Sequence, residues 1–397
     1  MLPVSDLIDV ARGARAGDDL AARSPLRFGD RRAPVVVWNV CQHCNMTCPH
    51  CYAAASTRPA PTDLSTDEAT ALVDDLAAAG VRVLIFSGGE PLLRPDILQL
   101  LSYARRAGLA PQLSTNGVLI DDAVAARLRE AGVGYVGVSI DGPREFNDAH
   151  RGLPGGYDRA LGGLRAAKAA GLRTGLRMTL FRANAPYLET MFATARDVGA
   201  DRFYVSHLIY SGRGRGMMGG DDLVPAESRA LLLRLFELAD VQPDPEAPRV
   251  VTGSNDSDGV LLARWLEERY GPEAGARVRA LLLRRGGNSA GEGVVAIDPR
   301  GRVHPDAFWR EATLGDVRAE SFARILAHPL RAQLRQRVER LTGRCGRCSA
   351  VALCRGSHRE RALAAHGDVW ASDPGCVLRD DEISSLASVA AAGEEAS

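Results

Sequence analysis

The chain has 397 residues, 46% apolar and 25% charged, with 49 Lys+Arg against 49 Asp+Glu, enough for one large domain and a smaller one at roughly 100–200 residues each. Balanced charge without a basic tract argues against a nucleic-acid partner, and no apolar run approaches the ~18 residues of a membrane span. The N-terminus lacks an apolar signal core, so the expected location is the cytoplasm.

Residues 1–32 are mixed and polar and read as a loosely packed N-terminal extension. Val35 to Val40 is a continuous β-branched run, the pattern of a buried strand. Directly behind it lies Cys44-Asn45-Met46-Thr47-Cys48-Pro49-His50-Cys51. Clustered cysteines in a long chain without an export signal argue for metal rather than disulfides. Thiolates suit zinc, copper(I) or iron–sulfur clusters, and three of them leave one metal position open for a group that is not protein. Cys41 falls outside this spacing and reads as a buried, inert thiol.

Ser65 and Glu68 form a capping-box pattern ahead of Leu72, Val73 and Leu76, with Gly80 as the stop. A strand follows from Val81 to Phe86. The unit then recurs. Helices at Ile97–Arg106, Val124–Glu130, Ala160–Ala170 and Tyr187–Val198 each end at a glycine, and strand-length apolar runs follow, ending at Leu113, Ile140, Leu180 and Leu208. Six strands alternating with helices predict a parallel α/β sheet, as an open doubly wound sheet or an incomplete barrel. In both, ligands bind at the carboxyl ends of the strands. Polar and glycine-rich residues stand there: the cysteine loop, Ser87-Gly88-Gly89-Glu90-Pro91, Ser114-Thr115-Asn116-Gly117, Ser139 with Asp141, Arg177 within the fifth strand, and Ser206-His207. They read as one site.

Gly212-Arg213-Gly214-Arg215-Gly216 follows the sixth strand, and its guanidinium groups suit carboxylates of a substrate. Gly214-x-Gly216-x-x-Gly219 imitates a dinucleotide fingerprint, but Asp221, Asp222 and Pro225 follow where an apolar helix is required. Asn255-Asp256-Ser257-Asp258-Gly259 imitates a calcium loop but has Trp265 in place of the closing glutamate. Residues 211–300 read as a connecting helical segment. Cys345, Cys348, Cys354 and Cys376 then supply four thiols, which close a coordination sphere around zinc or a fully ligated cluster.

Cys-x-x-x-Cys-x-x-Cys after the first strand and Gly-Gly-Glu-Pro after the second resemble the radical SAM family over roughly residues 33–210, and the C-terminal spacing resembles its SPASM/Twitch subgroup. The resemblance implies a partial (β/α)6 TIM-like barrel, with a C-terminal iron–sulfur domain over 301–397. It also implies that Cys44, Cys48 and Cys51 hold a 4Fe–4S cluster whose open iron takes S-adenosylmethionine, which is cleaved to a 5′-deoxyadenosyl radical. Gly88 and Gly89 are expected to let the cofactor approach, Glu90 to accept from its amine, Ser139 and Arg177 to take its carboxylate, and Ser114 or Asn116 its ribose or sulfonium side. Two thiols of the fuller subgroup pattern are replaced by Asp306 and His358, so Cys345, Cys348, Cys354 and Cys376 are expected to hold one auxiliary 4Fe–4S cluster, with zinc as the alternative.

Val35-Val36-Val37-Trp38-Asn39, Ser211-Gly212-Arg213-Gly214, Val251-Thr252-Gly253-Ser254-Asn255-Asp256 and Val303-His304-Pro305-Asp306 resemble the members of that family that act in haem d1 biosynthesis. This implies a tetrapyrrole substrate, didecarboxysirohaem, losing two propionate side chains, with an external flavodoxin- or ferredoxin-type electron donor. On this reading Arg213, Arg215 and His304 bind substrate, and Glu90, His207 and Tyr210 are catalytic. The rivals are a haem-propionate decarboxylase, a peptide-modifying SPASM enzyme and, outside catalysis, a structural iron–sulfur or zinc protein.

Overall fold

The computed structural model describes residues 1–17, 33–60, 62–241 and 246–383; positions 18–32 of the N-terminal extension and 384–397 of the C-terminal segment lie outside it. The repeating α/β unit is present: β1 (Val35–Asn39), α2 (Thr66–Ala78), β2 (Val83–Ser87), α3 (Ile97–Arg106), β3 (Ala110–Thr115), α4 (Asp122–Glu130), β4 (Val136–Ser139), α5 (Arg144–Arg151), α6 (Gly156–Ala169), β5 (Thr174–Leu180), α7 (Leu188–Asp197) and β6 (Arg202–His207). The capping box at α2 forms as its sequence requires, Ser65 accepting from the Glu68 amide and Glu68 from the Ser65 amide.

The six strands pair in parallel and in chain order. The sheet is wider than six units. β7 (Arg249–Gly253) joins in parallel beyond β6, and β8 (Val294–Ile297) joins in parallel on the outer side of β1. β9 (Arg302–His304) and β10 (Gly315–Asp316) continue antiparallel, giving ten strands in the order β10-β9-β8-β1-β2-β3-β4-β5-β6-β7. The stretch 211–300 is therefore not only a helical connection. It also holds α8 (Pro225–Asp240), α9 (Ser257–Tyr270) and α10 (Pro272–Arg285), and the leucine spacing of these helices masks the short β-branched runs Val250-Val251 and Val294-Val295.

The start of the chain is likewise not a loose extension. Helix α1 (Val4–Ala11) buries Val4, Leu7, Ile8, Val10 and Ala11. Leu2 exchanges backbone hydrogen bonds with Thr252, and the Ser5 hydroxyl accepts from the Val250 amide at 2.9 Å. The edge strand β7 would otherwise present bare N–H and C=O groups, and the N-terminal segment satisfies them. In the apolar run preceding the cysteine loop, Val36 and Trp38 are buried while Val35 and Val37 are half-buried, and Trp38 packs tilted on the buried Phe86 of β2. This rigid floor carries the loop that follows β1.

Candidate active site

Strand β1 ends at Asn39, and the chain turns at the carboxyl edge of the sheet into the loop carrying Cys44, Cys48 and Cys51. The loop is pinned from several sides. The Cys44 amide donates to Ser56 O and the Ser56 amide to Gln42 O, while Gln42 Nε2 donates to the Ala53 and Ala54 carbonyls. Arg213 donates to the Cys48 carbonyl at 2.8 Å and the Ala55 carbonyl at 2.7 Å, and Arg310 to the Ala53 carbonyl at 2.7 Å. Arg213 is thus spent on the loop rather than presented to a substrate. Its guanidinium gives the Ala55 carbonyl a donor and adds a second to the Cys48 carbonyl, which also accepts from the Cys51 amide. Arg215 points outward into a half-exposed pair with Glu311 at 3.4 Å.

Cys41 is turned away, its thiol donating to the Glu90 carbonyl at 3.3 Å and pushed up to about 11 by burial. Its burial agrees with its place outside the three-thiol spacing. Burial also pushes the Cys44 thiol up to about 12 and raises that of Cys48. Such thiols ionise readily only against a positive partner, and a bound metal supplies one.

Gly88 and Gly89 act differently from expectation. A Cβ at Gly89 would overlap the His43 carbonyl oxygen, and one at Gly88 (φ +141°) would stand 2.8 Å from the Cys41 carbonyl oxygen. The glycines let the end of β2 lie against the cysteine loop, with Gly89 and Glu90 amides donating to the Cys41 and His43 carbonyls.

Glu90 also differs. It is wholly buried, and its carboxylate accepts from the Thr115 hydroxyl at 2.6 Å, the Asn116 amide at 2.8 Å and the Leu92 amide at 3.1 Å. With three protein donors it is a brace between the β2 and β3 ends, not an exposed catalytic group. Asn116 continues the brace, donating to Asn45 Oδ1 of the cysteine loop at 2.7 Å.

Ser114, Ser139 and Arg177 do come together. Ser139 pairs in register with Arg177, which donates to the Ser114 hydroxyl and lies over the Tyr204 ring at 4.9 Å. Gly137 makes this possible, because a Cβ there would stand 2.7 Å from Arg177 Cδ.

His207, Tyr210 and His304 do not converge. His207 Nε2 stands 3.0 Å from Asp258 Oδ2, both buried. The Tyr210 hydroxyl donates to Asp222 at 2.7 Å inside an apolar group of Phe181, Leu208 and Met217, and burial raises its pKa. His304 lies within β9, its Nδ1 2.7 Å from the Ala312 carbonyl oxygen and its Nε2 3.5 Å from Asp298. Burial among main-chain and acidic partners explains each better than a place on a substrate.

Arg151 joins the site only in the folded chain. It closes α5, reaches Asp141 Oδ2 at 2.6 Å and lies 3.9 Å from Cys48 Sγ. His50 stands 3.4 Å from the same Asp141 oxygen and 2.7 Å from His150. Asp141 at a strand's carboxyl end was the available signal; an arginine on a polar helix carried none.

The C-terminal thiols are gathered as well. Cys348 and Cys354 are buried with Val260 and Leu378, and Cys376 packs on the same group. Burial pushes Cys376 up to about 11, with the neighbouring Cys345 adding to the rise. Among the described residues, His50, Asp141 and His150 also bring three ligand atoms within 4.8 Å of one another. Asp306 and His358, where the fuller pattern has thiols, face each other at 3.8 Å.

A mostly parallel α/β sheet with an open three-thiol loop at its carboxyl edge defines a cluster-binding partial-barrel enzyme. The Radical SAM superfamily pattern matches residues 38–206. The chain is 41% identical over 350 residues to pre-heme d1 synthase of Dinoroseobacter shibae, covering 87% of this chain and 86% of that protein. It is also 41% identical over 366 residues to Fe-coproporphyrin III synthase of Methanosarcina barkeri, covering 90% and 91%. Among solved structures, native anSMEcpe with bound AdoMet shares the fold at TM-score 0.66 and 17% identity, covering 86% of this chain and 94% of that one. Streptococcus suis SuiB bound to S-adenosylmethionine does so at 0.66 and 16%, covering 91% and 80%. The chain belongs to the radical SAM superfamily. Membership implies a 4Fe–4S cluster and S-adenosylmethionine, and three loop thiols with Cys41 turned aside fit that donor set.

Proposed function

We propose that this enzyme modifies an iron tetrapyrrole, removing two propionate side chains of didecarboxysirohaem in haem d1 synthesis. The observation that carries the reading is the 41% identity to a pre-heme d1 synthase over 87% of this chain. Cys44, Cys48 and Cys51 would hold the cluster. Bound there with S-adenosylmethionine, it supplies a one-electron cleavage that yields a carbon radical, so the protein's own task is geometry. Ser139 and Arg177 are suited to the carboxylate of the cofactor, as a guanidinium pairs with a carboxylate in a fixed fork. Gly137 keeps that fork in place. Glu90 and Asn116 hold the β2 and β3 ends against the loop, fixing the distance between cofactor and reacting carbon.

Cys345, Cys348, Cys354 and Cys376 would hold one auxiliary 4Fe–4S cluster, a reading supported by the gathering of Cys348, Cys354 and Cys376 in one buried group. The electron donor is a flavodoxin- or ferredoxin-type protein. No described helix is long and apolar enough to cross a membrane, which accords with a cytoplasmic enzyme.

A second reading has an equal observation behind it, the 41% identity to Fe-coproporphyrin III synthase. One experiment separates them. Reduced enzyme is incubated with didecarboxysirohaem and S-adenosylmethionine, and the tetrapyrrole products are analysed by mass spectrometry. Loss of two propionate chains supports the first reading, and co-elution with authentic Fe-coproporphyrin III supports the second. An unaltered tetrapyrrole alongside deoxyadenosine overturns both.

A further inference from the structure

The cysteine loop is touched by one buried positive charge that the three-thiol motif does not contain, the guanidinium of Arg151. Helix α5 ends at Gly152 in the left-handed region (φ +67°), where a Cβ would overlap the Thr47 hydroxyl, and the Thr47 amide donates to the Arg151 carbonyl at 3.0 Å. The helix end is thus keyed to the middle of the loop. From it the buried Arg151 side chain sends Nη2 to Asp141 at 2.6 Å and Nη1 to within 3.9 Å of Cys48 Sγ. Its third donor, Nε, is buried with no partner among the described residues. Asp141 is itself anchored, accepting from the Thr179 amide at 2.9 Å.

A guanidinium stays charged at any working pH, and a buried N–H without an acceptor costs free energy. An anionic sulfur at Cys48 would give Nη1 a charge-assisted partner, and Nε is left to donate to an acceptor held at the loop. Hydrogen bonds to sulfur and local charge are among the features that set a cluster's potential. The contact is also one-sided: of the three loop thiols, only that of Cys48 has a hydrogen bond from a guanidinium among the described residues.

We propose that Arg151, held by Asp141, is a positioning residue that fixes the Cys48 sulfur and sets the reduction potential of the loop's cluster. It stabilises the additional negative charge of the reduced state, making the cluster easier to reduce, and Asp141 limits that effect by partly neutralising the guanidinium. The proposal rests on the reading that Cys44, Cys48 and Cys51 hold the cluster.

The test is an EPR-monitored redox titration of anaerobically reconstituted holoenzyme without S-adenosylmethionine. At the poise that half-reduces the loop cluster of the wild type, Arg151→Met is expected to be reduced only in a minor fraction, with a more negative midpoint. Arg151→Lys should recover part of the shift, and the C-terminal cysteine group gives an internal signal that does not move. Should Arg151→Met not fold, Asp141→Asn serves, with the midpoint expected to move positive. An unchanged midpoint at full iron content in either variant overturns the proposal. If the same signal persists in Cys48→Ala, the assignment of the cluster to this loop fails instead.

Discussion

Thr115 donates its hydroxyl to Glu90 at 2.6 Å, joining the ends of β2 and β3 beneath the cysteine loop. The Asn116 amide completes the same carboxylate at 2.8 Å. Two backbone amides and one hydroxyl converge on this carboxylate, so Glu90→Gln has no good orientation. Whichever way the amide turns, its NH2 meets a backbone N–H, of Asn116 or of Leu92. We expect a loss of about 1–3 kcal/mol, the cost of an unsatisfied buried polar group. Thermal denaturation of wild type and variant checks it, and an unchanged midpoint would remove Glu90 from its bracing role.

The two cysteine groups should be separable by iron content. Replacing Cys44, Cys48 and Cys51 by alanine is expected to abolish deoxyadenosine formation and lower reconstituted iron from about eight atoms to about four. Replacing Cys345, Cys348, Cys354 and Cys376 should lower iron equally while leaving the N-terminal signal in EPR. Four irons accompanied by one zinc in the wild type would refute an auxiliary cluster.

Arg213 supports the loop through the Cys48 and Ala55 carbonyls. Arg213→Met is therefore expected to lose loop iron on gel filtration or mild chelation, without a raised KM for tetrapyrrole in the fraction that keeps its cluster. Full iron retention with weakened substrate binding would return Arg213 to the substrate.

Glu360 offers a pH test. Burial first, then the charges of Glu311 and Asp306, pushes its carboxyl up from 4.5 to about 8. A folded-state pKa above the unfolded one means its contribution is complete below about pH 4.5 and is lost as pH rises through about 8. Between pH 5 and 8 the stability of wild type relative to Glu360→Gln should therefore fall. Denaturation midpoints at both pH values, compared between the two proteins, decide it. Parallel profiles would show that Glu360 does not titrate there.

The local elements were legible in the sequence because local rules dictate them. Ser65 and Glu68 cap their helix, a glycine follows each core helix, and Val35 to Trp38 has only buried-strand chemistry. The three-thiol spacing and Gly-Gly-Glu-Pro likewise declare their chemistry within a few residues. The partners of long side chains were not legible. Arg213, Arg151, His207 and His304 each find theirs across more than one element or in a main-chain carbonyl, and single-residue chemistry does not reveal which acceptor lies within reach.

The sequence by itself determined the α/β repeat and the open cysteine site, since both depend on spacing along the chain. Tertiary structure alone decided that β7 and β8 widen the sheet, that Glu90 braces two strand ends, and that Asp141 and Arg151 place one charge beside Cys48. Those outcomes depend on where buried polar groups find partners, and only the folded chain brings such groups together.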